Sequence, residues 1–237
     1  MPEPIDQVIQ AILISPAPIV LPDTSSLLNI LEAATPDERV SPNIVPAALK
    51  FLVRLQLSPP TLHIALAQVV EEEWLRHHAS KKEKAIASIR RADDRISFLW
   101  SIASAMSSAP AEPYVQFHGL QIAQRLHDLA EQIVGRARVI QTNEDFQSAA
   151  GIRIYSGNAP ATPGKKVTEA SDCLLIEQYL ELCRRLRSAG FTDRCVFVTS
   201  NTRDFGEPKA PRPPLDREFE RAEIDFVYDL AAASALL

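Results

Sequence analysis

The chain has 237 residues, of which 46% are hydrophobic, so it is long enough to bury a sizeable core and is not globally disordered. It contains seven glycines and eighteen prolines, about 3% and 8% of the residues where average proteins have about 7% and 5%. Those few glycines form neither a dinucleotide-binding Gly-x-Gly-x-x-Gly turn nor a P-loop, and the net charge of −5 by itself disfavours a polyanionic partner.

The amino-terminal residues carry no pattern of export or of membrane insertion. The chain starts Met-Pro-Glu-Pro with Asp6 close behind, unlike the basic start of a secretion signal. The apolar run over residues 11–21 is interrupted by prolines and is too short to cross a bilayer. Three cysteines, an odd number without a Cys-x-x-Cys pair, each lie in an apolar stretch. We therefore expect a cytoplasmic protein with reduced cysteines and no membrane partner.

The first half of the chain predicts two strands separated by helices. Short apolar runs bounded by proline are typical of buried strands, whereas apolar residues at spacings of three and four indicate helices. The helical stretch that follows the second strand is long enough to be two helices or an antiparallel pair. The predicted elements are a strand at 19–21 and a helix after it, a helix at 43–56, a strand at 62–66, helical residues 69–107, and a helix at 114–134.

The second half continues the alternation of strands and helices. Its predicted elements are a short strand at 138–140, an exposed loop at 151–166, a helix from 171 to 188, a strand at 195–198, a rigid proline-rich connector at 208–214, a last strand at 224–227 and a helical tail. Strands separated by helices pair in parallel through crossovers, with helices on both faces. We predict one domain over residues 1–237, a three-layer α/β/α sandwich with a central parallel sheet and a helical insertion over about 76–135.

Acidic residues follow or flank three of the predicted strands. Asp23 directly follows the first strand, glutamates at 71–73 open the helix after the second, Asp172 opens a later helix, and Asp204 comes after the strand at 195–198. In an open parallel sheet, sites form outside the carboxyl ends of the strands. Buried carboxylates need cations, and oxygen ligands favour Mg²⁺ or Mn²⁺, which can activate water against a phosphodiester. Each acid also has a structural alternative as a helix cap, a helix-dipole partner or a turn residue.

Four segments around these acids resemble, in order, the four acidic motifs of PIN-like domains. They are IVLPDTSSLL at 19–28, VVEEEWLRH at 69–77, GKKVTEASDCLLIE at 164–177 and VFVTSNTRDF at 196–205. The resemblance covers about residues 19–230 and is closest to a branch of PIN-like proteins that carry a long helical insertion. PIN domains are α/β/α sandwiches that typically act as Mg²⁺- or Mn²⁺-dependent nucleases, most often on RNA, and they include the toxins of bacterial toxin–antitoxin pairs. The resemblance therefore implies an endoribonuclease acting on single-stranded or structured RNA, with an antitoxin protein as a further partner if it is such a toxin.

The resemblance also implies which residues are catalytic. Its motifs place the metal-binding acids at Asp23, Glu72, Asp172 and Asp204. Glu72 matches the second motif because it follows two β-branched residues and one spacer, and its glutamate neighbours then face other directions.

The fourth motif departs from the common Thr-Asn-Asp-x-Asp-Phe form. Thr202 stands where the first of its two acids is expected, so only Asp204 remains. Thr199 or Asn201 could then supply a neutral oxygen or orient a water. A site with fewer carboxylates should hold a second ion more weakly, so substrate phosphate could be needed to complete its shell.

Substrate contacts are predicted around the same motifs. Between residues 76 and 95 there are seven Lys or Arg and three acids, which would bind phosphates without selecting a base sequence or would simply form a solvated helix face. His77 and His78 either stack on a base or have no role, and Trp74 and Trp100 are expected to pack between helices rather than to stack on bases. The residues assigned to substrate binding are Thr24, Lys165, Lys166, Thr199, Asn201 and Arg203.

Two other functions fit the same residues. A PIN-like module that has lost its chemistry through the incomplete fourth motif would bind RNA or a protein partner, and the insertion could form a homodimer contact. A phosphatase of the doubly wound type is disfavoured because Asp23 is followed by Thr24 and Ser25, so the Asp-x-Asp pair of an aspartyl-phosphate enzyme is missing.

Overall fold

A computed structural model describes residues 1–35, 40–107, 114–161 and 170–237. The strands are β1 Ile19–Pro22, β2 His63–Ala67, β3 Arg138–Ile140, β4 Cys195–Val198, β5 Gly206–Glu207, β6 Ala210–Pro211 and β7 Ile224–Val227. Five of them form a central parallel sheet with the order β3-β2-β1-β4-β7, and β5 and β6 form a separate antiparallel hairpin. The parallel sheet confirms the predicted fold class.

The helices pack in two groups that flank the sheet. The helices are α1 Ile5–Ile14, α2 Thr24–Glu32, α3 Ile44–Gln56, α4 Gln68–Met106, α5 Ile122–Val134, α6 Glu144–Ser156, α7 Ala170–Ser188, the short α8 Thr202–Phe205, α9 Leu215–Ala222 and α10 Leu230–Leu236. One group contains α1, α6, α7 and α9, and the other contains α2, α3, α4, α5 and α10. None of the helices in the described part of the chain is long and apolar enough to cross a membrane. The division into one domain with an insertion at about 76–135 stays a prediction.

The sheet is buried because its strands are short runs of apolar residues covered on both faces. All residues of β1, β2 and β4 are buried. β1 lies between β2 and β4, so its backbone is bonded on both sides. Phe197 on β4 is fully buried, and the rings of Tyr179, Phe205, Phe219 and Phe226 lie within 5.1 to 6.0 Å of its ring. This aromatic cluster supports the end of the sheet where the acidic residues follow the strands.

Residues 69–107, predicted as two helices or an antiparallel pair, form neither. α4 is one helix of 39 residues, about 58 Å long at 1.5 Å per residue. It contains no glycine and no proline, so nothing in its sequence breaks the backbone hydrogen bonds. Its first turns are buried through Val70 and Trp74, while Phe98, Trp100 and Met106 near its end are exposed. Trp74 is thus buried as expected, whereas the same expectation for Trp100 is wrong.

Two predicted loops also differ from the structure. The exposed loop predicted at 151–166 is helical at its start, because α6 runs to Ser156 and ends at Gly157 with a left-handed φ of 65°. Residues 159–161 are buried, and residues 162–166 lie outside the described part of the chain. Asn143 starts this helix by accepting a hydrogen bond from the Phe146 N–H at 2.9 Å. The proline-rich connector contains the β6 strand and is not a simple spacer. Gly206 opens the hairpin at φ 89°, where a Cβ would come within 2.6 Å of the Arg212 nitrogen.

Asp93 on α4 forms hydrogen bonds with the segment 114–118, which follows α4 in the sequence. Its carboxylate is buried and accepts hydrogen bonds from the Tyr114 hydroxyl at 2.7 Å, the Phe117 N–H at 2.8 Å and the His118 N–H at 2.7 Å. The His118 imidazole lies at 2.8 Å from the same carboxylate. Burial alone raises the pKa of Asp93, but these hydrogen bonds to the ionised form hold the pKa well below its usual range.

Asp93→Asn is therefore expected to lower the melting temperature at neutral pH. Because the folded-state pKa is depressed, the stabilisation is present above the unfolded pKa of about 3.9 and is lost as the pH falls towards the folded pKa. Thermal melts followed by circular dichroism at successively lower pH should show the gap between variant and wild type shrinking. Asp94→Asn, at the exposed neighbouring position, should match the wild type throughout. A gap that is absent or independent of pH contradicts this account.

Candidate metal centre

Asp23 lies at the carboxyl end of β1, directly before α2. It is only 6% exposed, and its Oδ2 accepts hydrogen bonds from the Ser25 and Thr199 hydroxyls, each at 2.8 Å. Burial raises the pKa of Asp23, the two hydroxyls and a backbone hydrogen bond lower it, and the negative charge of Glu73 raises it again; the net direction is upward. The ionised form is thus disfavoured here unless a cation compensates.

Glu73, and not Glu72, is the glutamate that the structure brings to Asp23. The Thr24 hydroxyl, next to Asp23, donates to Glu73 Oε2 at 2.8 Å. Glu72 is exposed, and its carboxylate accepts from the Gln68 side-chain amide at 2.9 Å, one turn earlier. The sequence motif assigned Glu72 to the metal site, whereas the structure places the next residue, Glu73, beside Asp23.

The rotation of α4 explains this one-residue difference. Val70 and Trp74 are buried, so they define the inner side of the helix. At about 100° per residue, Glu72 points away from this side, and Glu71 and Glu73 lie at its two edges. The spacing in the sequence therefore indicates that Glu72 faces outward, but it does not distinguish Glu71 from Glu73. The hydrogen bond from Thr24 on α2 to Glu73 makes that distinction in the structure.

Asn201 joins the other two predicted acids. Its side-chain nitrogen donates to Asp204 Oδ2 at 3.0 Å and to Asp172 Oδ2 at 3.4 Å. Its backbone N–H donates to the Thr199 hydroxyl at 3.0 Å, and that hydroxyl in turn donates to Asp23. Residues from β1, α7 and the segment after β4 are thereby connected in one polar network.

The ends of the strands under this network are tied together by two buried hydroxyls. The Tyr179 hydroxyl donates to the Pro22 carbonyl at 2.7 Å and accepts from the Ala67 N–H at 3.2 Å, so it bridges the carboxyl ends of β1 and β2. The Ser26 hydroxyl donates to the Val198 carbonyl at 2.8 Å, which joins α2 to β4. Neither residue was expected from the motifs, because each acts on the backbone and not on a ligand.

The donor atoms of this network suit a hard divalent cation. Asp204 Oδ1 is buried and has no hydrogen-bond partner among the described residues, although the Arg203 Nε lies 3.6 Å away. An unpartnered buried carboxylate oxygen is unfavourable unless a cation or water completes it. Carboxylate and hydroxyl oxygens are the ligands that Mg²⁺ and Mn²⁺ prefer. The residues present therefore fit the metal that the sequence predicts.

Four further residues were assigned to substrate binding. Two of them, Lys165 and Lys166, lie outside the described residues. Arg203 is exposed beside Asp204, and Thr24 is engaged with Glu73.

A groove of about 520 Å³ adjoins the network. It is lined in part by Ser25, whose hydroxyl donates to Asp23, by Ser200, whose N–H donates to Ser25, and by Tyr228, which is 55% exposed. The Lys81 ammonium, from the basic run, also lines the groove and is paired with Glu32. A groove of this size next to the acids has room for part of an extended ligand.

Comparison with known proteins yields one match. A family model described as a PIN domain matches residues 48–205, which is more than half of the chain. The matched range contains Glu73, Asp172, Asn201 and Asp204, whereas Asp23 lies before it. No curated protein and no solved structure matches the chain.

Proposed function

The chain belongs to the PIN domain family, whose members are generally nucleases, and we propose that it is a metal-dependent endoribonuclease. The observation that carries this proposal is the buried Asp23 carboxylate, which shares one hydrogen-bond network with Asp172 and Asp204 at the carboxyl ends of the parallel strands. Three carboxylates this close together, one buried and two partly buried, repel one another and are unfavourable in their ionised form unless a cation neutralises them. The toxin role and the antitoxin partner are further proposals that rest on the resemblance alone.

Four carboxylates would hold the metal in this proposal, with Glu73 taking the place of Glu72 in the predicted set. They are Asp23, Glu73, Asp172 and Asp204. A bound Mg²⁺ or Mn²⁺ supplies an activated water and neutralises charge that develops on the phosphate. The chain itself orients the acids: the Ser25 and Thr199 hydroxyls fix the Asp23 carboxylate, and the Asn201 amide holds two further carboxylates in place.

RNA is the proposed substrate because the chain offers both phosphate and base contacts beside the acids. Arg203 is exposed next to Asp204, and Lys165 and Lys166 precede Asp172 in the sequence. Such cations position a backbone without selecting its sequence. The exposed ring of Tyr228 in the adjoining groove is suited to stacking on an unpaired base.

A second candidate function is favoured by one observation in the fourth motif. Thr202 stands in place of an acid, and the Asn201 amide nitrogen donates to the two acids that flank it. With one acid missing and two others bonded to an amide, the site would bind a metal ion weakly. Such a protein would bind RNA or a protein partner without cleaving RNA. A titration with Mn²⁺ separates the two functions, because the binding module should show neither thermal stabilisation by the ion nor metal-dependent cleavage.

The proposal is tested most sharply by the two adjacent glutamates. Glu73→Gln is expected to lower Mn²⁺-dependent cleavage of a labelled single-stranded RNA by about 10- to 100-fold or more, because it removes charge next to Asp23. Glu72→Gln makes the same chemical change on the exposed side of α4 and should leave the initial rate within about twofold. Equal losses in both variants, or a larger loss in Glu72→Gln, contradict the assignment of Glu73.

A further inference from the structure

A second group of ligand atoms lies between α4 and α5, apart from the acidic network. Among the residues that the structure describes, His78, His127 and Glu131 are the three side chains of this kind whose ligand atoms lie within 4.8 Å of one another. His78 is on α4, and the other two are one turn apart on α5. We propose that these three side chains bind a zinc-type transition-metal ion at a site separate from the acidic residues.

The distances between the three ligand atoms fit a single ion. His78 Nδ1 lies 2.8 Å from His127 Nε2, and Glu131 Oε1 lies 3.9 Å and 3.7 Å from these two nitrogens. A point about 2.0 Å from all three atoms exists at the centre of this triangle, which matches the Zn–N and Zn–O distances of about 2.0–2.2 Å. Three corners of a tetrahedron with bonds of this length are about 3.3–3.4 Å apart. Binding therefore requires the two nitrogens to separate by about 0.5 Å and the half-exposed Glu131 to approach by a similar amount.

The ligand types separate this site chemically from the acidic one. Two imidazoles and one carboxylate are a common zinc ligand set with one position left for water, whereas Mg²⁺ prefers oxygen ligands throughout. The acidic network consists of carboxylate, hydroxyl and amide groups and offers no imidazole. We therefore expect Zn²⁺ or Co²⁺ to bind at the histidine site and Mg²⁺ not to bind there.

The imidazole rings are held in place before any ion binds. The Trp74 ring is only 2% exposed and stacks on the His78 ring at 5.3 Å between centroids with an 18° angle between planes. It also lies 6.4 Å from the His127 ring, and His127 is 7% exposed. Since packing already orders both histidines, binding an ion costs little side-chain entropy.

The hydrogen bonding of the two rings is also consistent with a metal ligand pair. In the metal-free protein one of the facing nitrogens donates to the other. When an ion binds, the donor ring gives up this proton and takes one up on its outer nitrogen through solvent, so no proton is lost overall. Each ring then carries its proton on the nitrogen that faces away from the ion. For His127 that atom is Nδ1, which is buried, lacks a hydrogen-bond partner among the described residues and lies 3.8 Å from Asp128 Oδ1. A carboxylate behind a ligating imidazole is a frequent supporting arrangement.

Zinc binding should be measured by calorimetry on the full chain carrying Asp23→Asn, so that the acidic site does not contribute. We expect one equivalent of Zn²⁺ to bind, Mg²⁺ in excess not to compete, and Co²⁺ to produce visible absorption bands from nitrogen and oxygen ligation. His78→Gln and Glu131→Gln should each weaken Zn²⁺ binding by about 10- to 100-fold. His77→Gln, at the exposed neighbouring position, should bind Zn²⁺ as tightly as its parent.

A thermal measurement completes the test. A large excess of Zn²⁺ should raise the melting temperature of the Asp23→Asn protein by roughly 5–10 °C, and that of the two ligand variants much less. The ligand variants must melt cooperatively without metal, and Glu131 is half-exposed, so its replacement leaves the core intact. The proposal is overturned if the Asp23→Asn protein binds no Zn²⁺, or if both ligand variants bind it as tightly as their parent. Neither result bears on the acidic nuclease site.

Discussion

Asp23→Asn is expected to reduce Mn²⁺-dependent RNA cleavage by about 1,000-fold or more, because it removes a charged ligand of the ion that supplies several kcal/mol of transition-state stabilisation. The metal-free variant should be at least as stable as the wild type. Burial and the nearby Glu73 charge disfavour the ionised Asp23 carboxylate, while the uncharged amide keeps an oxygen that can accept from the Ser25 and Thr199 hydroxyls. Initial cleavage rates and thermal melts in the presence of a chelator measure the two effects.

Two comparisons make this result specific. Asp172→Asn should lose cleavage in the same way, because Asp172 belongs to the same network through Asn201. Asp216→Asn changes an exposed acid on α9 and should leave cleavage unchanged. Mn²⁺ should raise the melting temperature of the wild type and of Asp216→Asn but not that of Asp23→Asn. Full cleavage by both Asp23→Asn and Asp172→Asn would falsify the proposed nuclease centre.

Arg153→Ala should have the largest effect on stability, with a loss of about 3–5 kcal/mol in the free energy of unfolding. Arg153 on α6 is only 5% exposed. Its guanidinium donates to Glu177 at 2.6 Å, to both carboxylate oxygens of Glu218 at 2.9 and 3.0 Å, and to the Ala159 carbonyl at 2.6 Å. The substitution leaves two partly buried carboxylates and a carbonyl without their donor, which costs more than the pairs themselves contribute.

Urea unfolding measures this loss as a lower midpoint with an unchanged slope. Arg136→Ala is the matched control, since Arg136 is exposed and donates one long hydrogen bond to the Gln132 carbonyl at 3.3 Å; its cost should stay within about 0.5 kcal/mol. Because Glu177 lies on the helix that carries Asp172, the same ion pairs also hold that helix against α6 and α9. A loss below about 1 kcal/mol for Arg153→Ala would show that the carboxylates find other partners or water.

The strands and most helices could be predicted because their signals are local. Runs such as residues 19–21 and 195–198 are apolar throughout and end at polar or turn-forming residues, so their burial in a parallel sheet follows from sequence. Helix α6 was not predicted, and the helical residues 69–107 were predicted with the right ends but not as one continuous helix. Where a helix starts and stops depends on which residue finds a cap or a left-handed position, as at Gly157, and polarity alone does not show where that occurs.

The sequence predicted where the acidic site lies in the fold, but not which individual side chains meet there. The placement of Asp23 after β1 and of Asp204 after β4 follows from strand ends and motif order, and their roles in metal binding stay predictions. The exchange of Glu72 for Glu73 could not be derived from motif spacing, because the rotation of α4 is set by the packing of Trp74. The Arg153 ion pairs were equally inaccessible, since they join helices distant in sequence.

The sequence by itself determined the α/β class and the parallel sheet, because these depend on periodicity and strand ends that are local along the chain. It also determined the PIN family, through the resemblance of its motifs and the family-model match. Only the tertiary structure decided which side chains meet. It brought Thr24 to Glu73, Asn201 to Asp172, and His78 to His127, pairs that are separated by 29 to 49 residues. Contacts of this kind depend on how helices pack against one another and against the core. The spacing of residues within one segment shows which side of a helix faces the core, but not which partner that side meets.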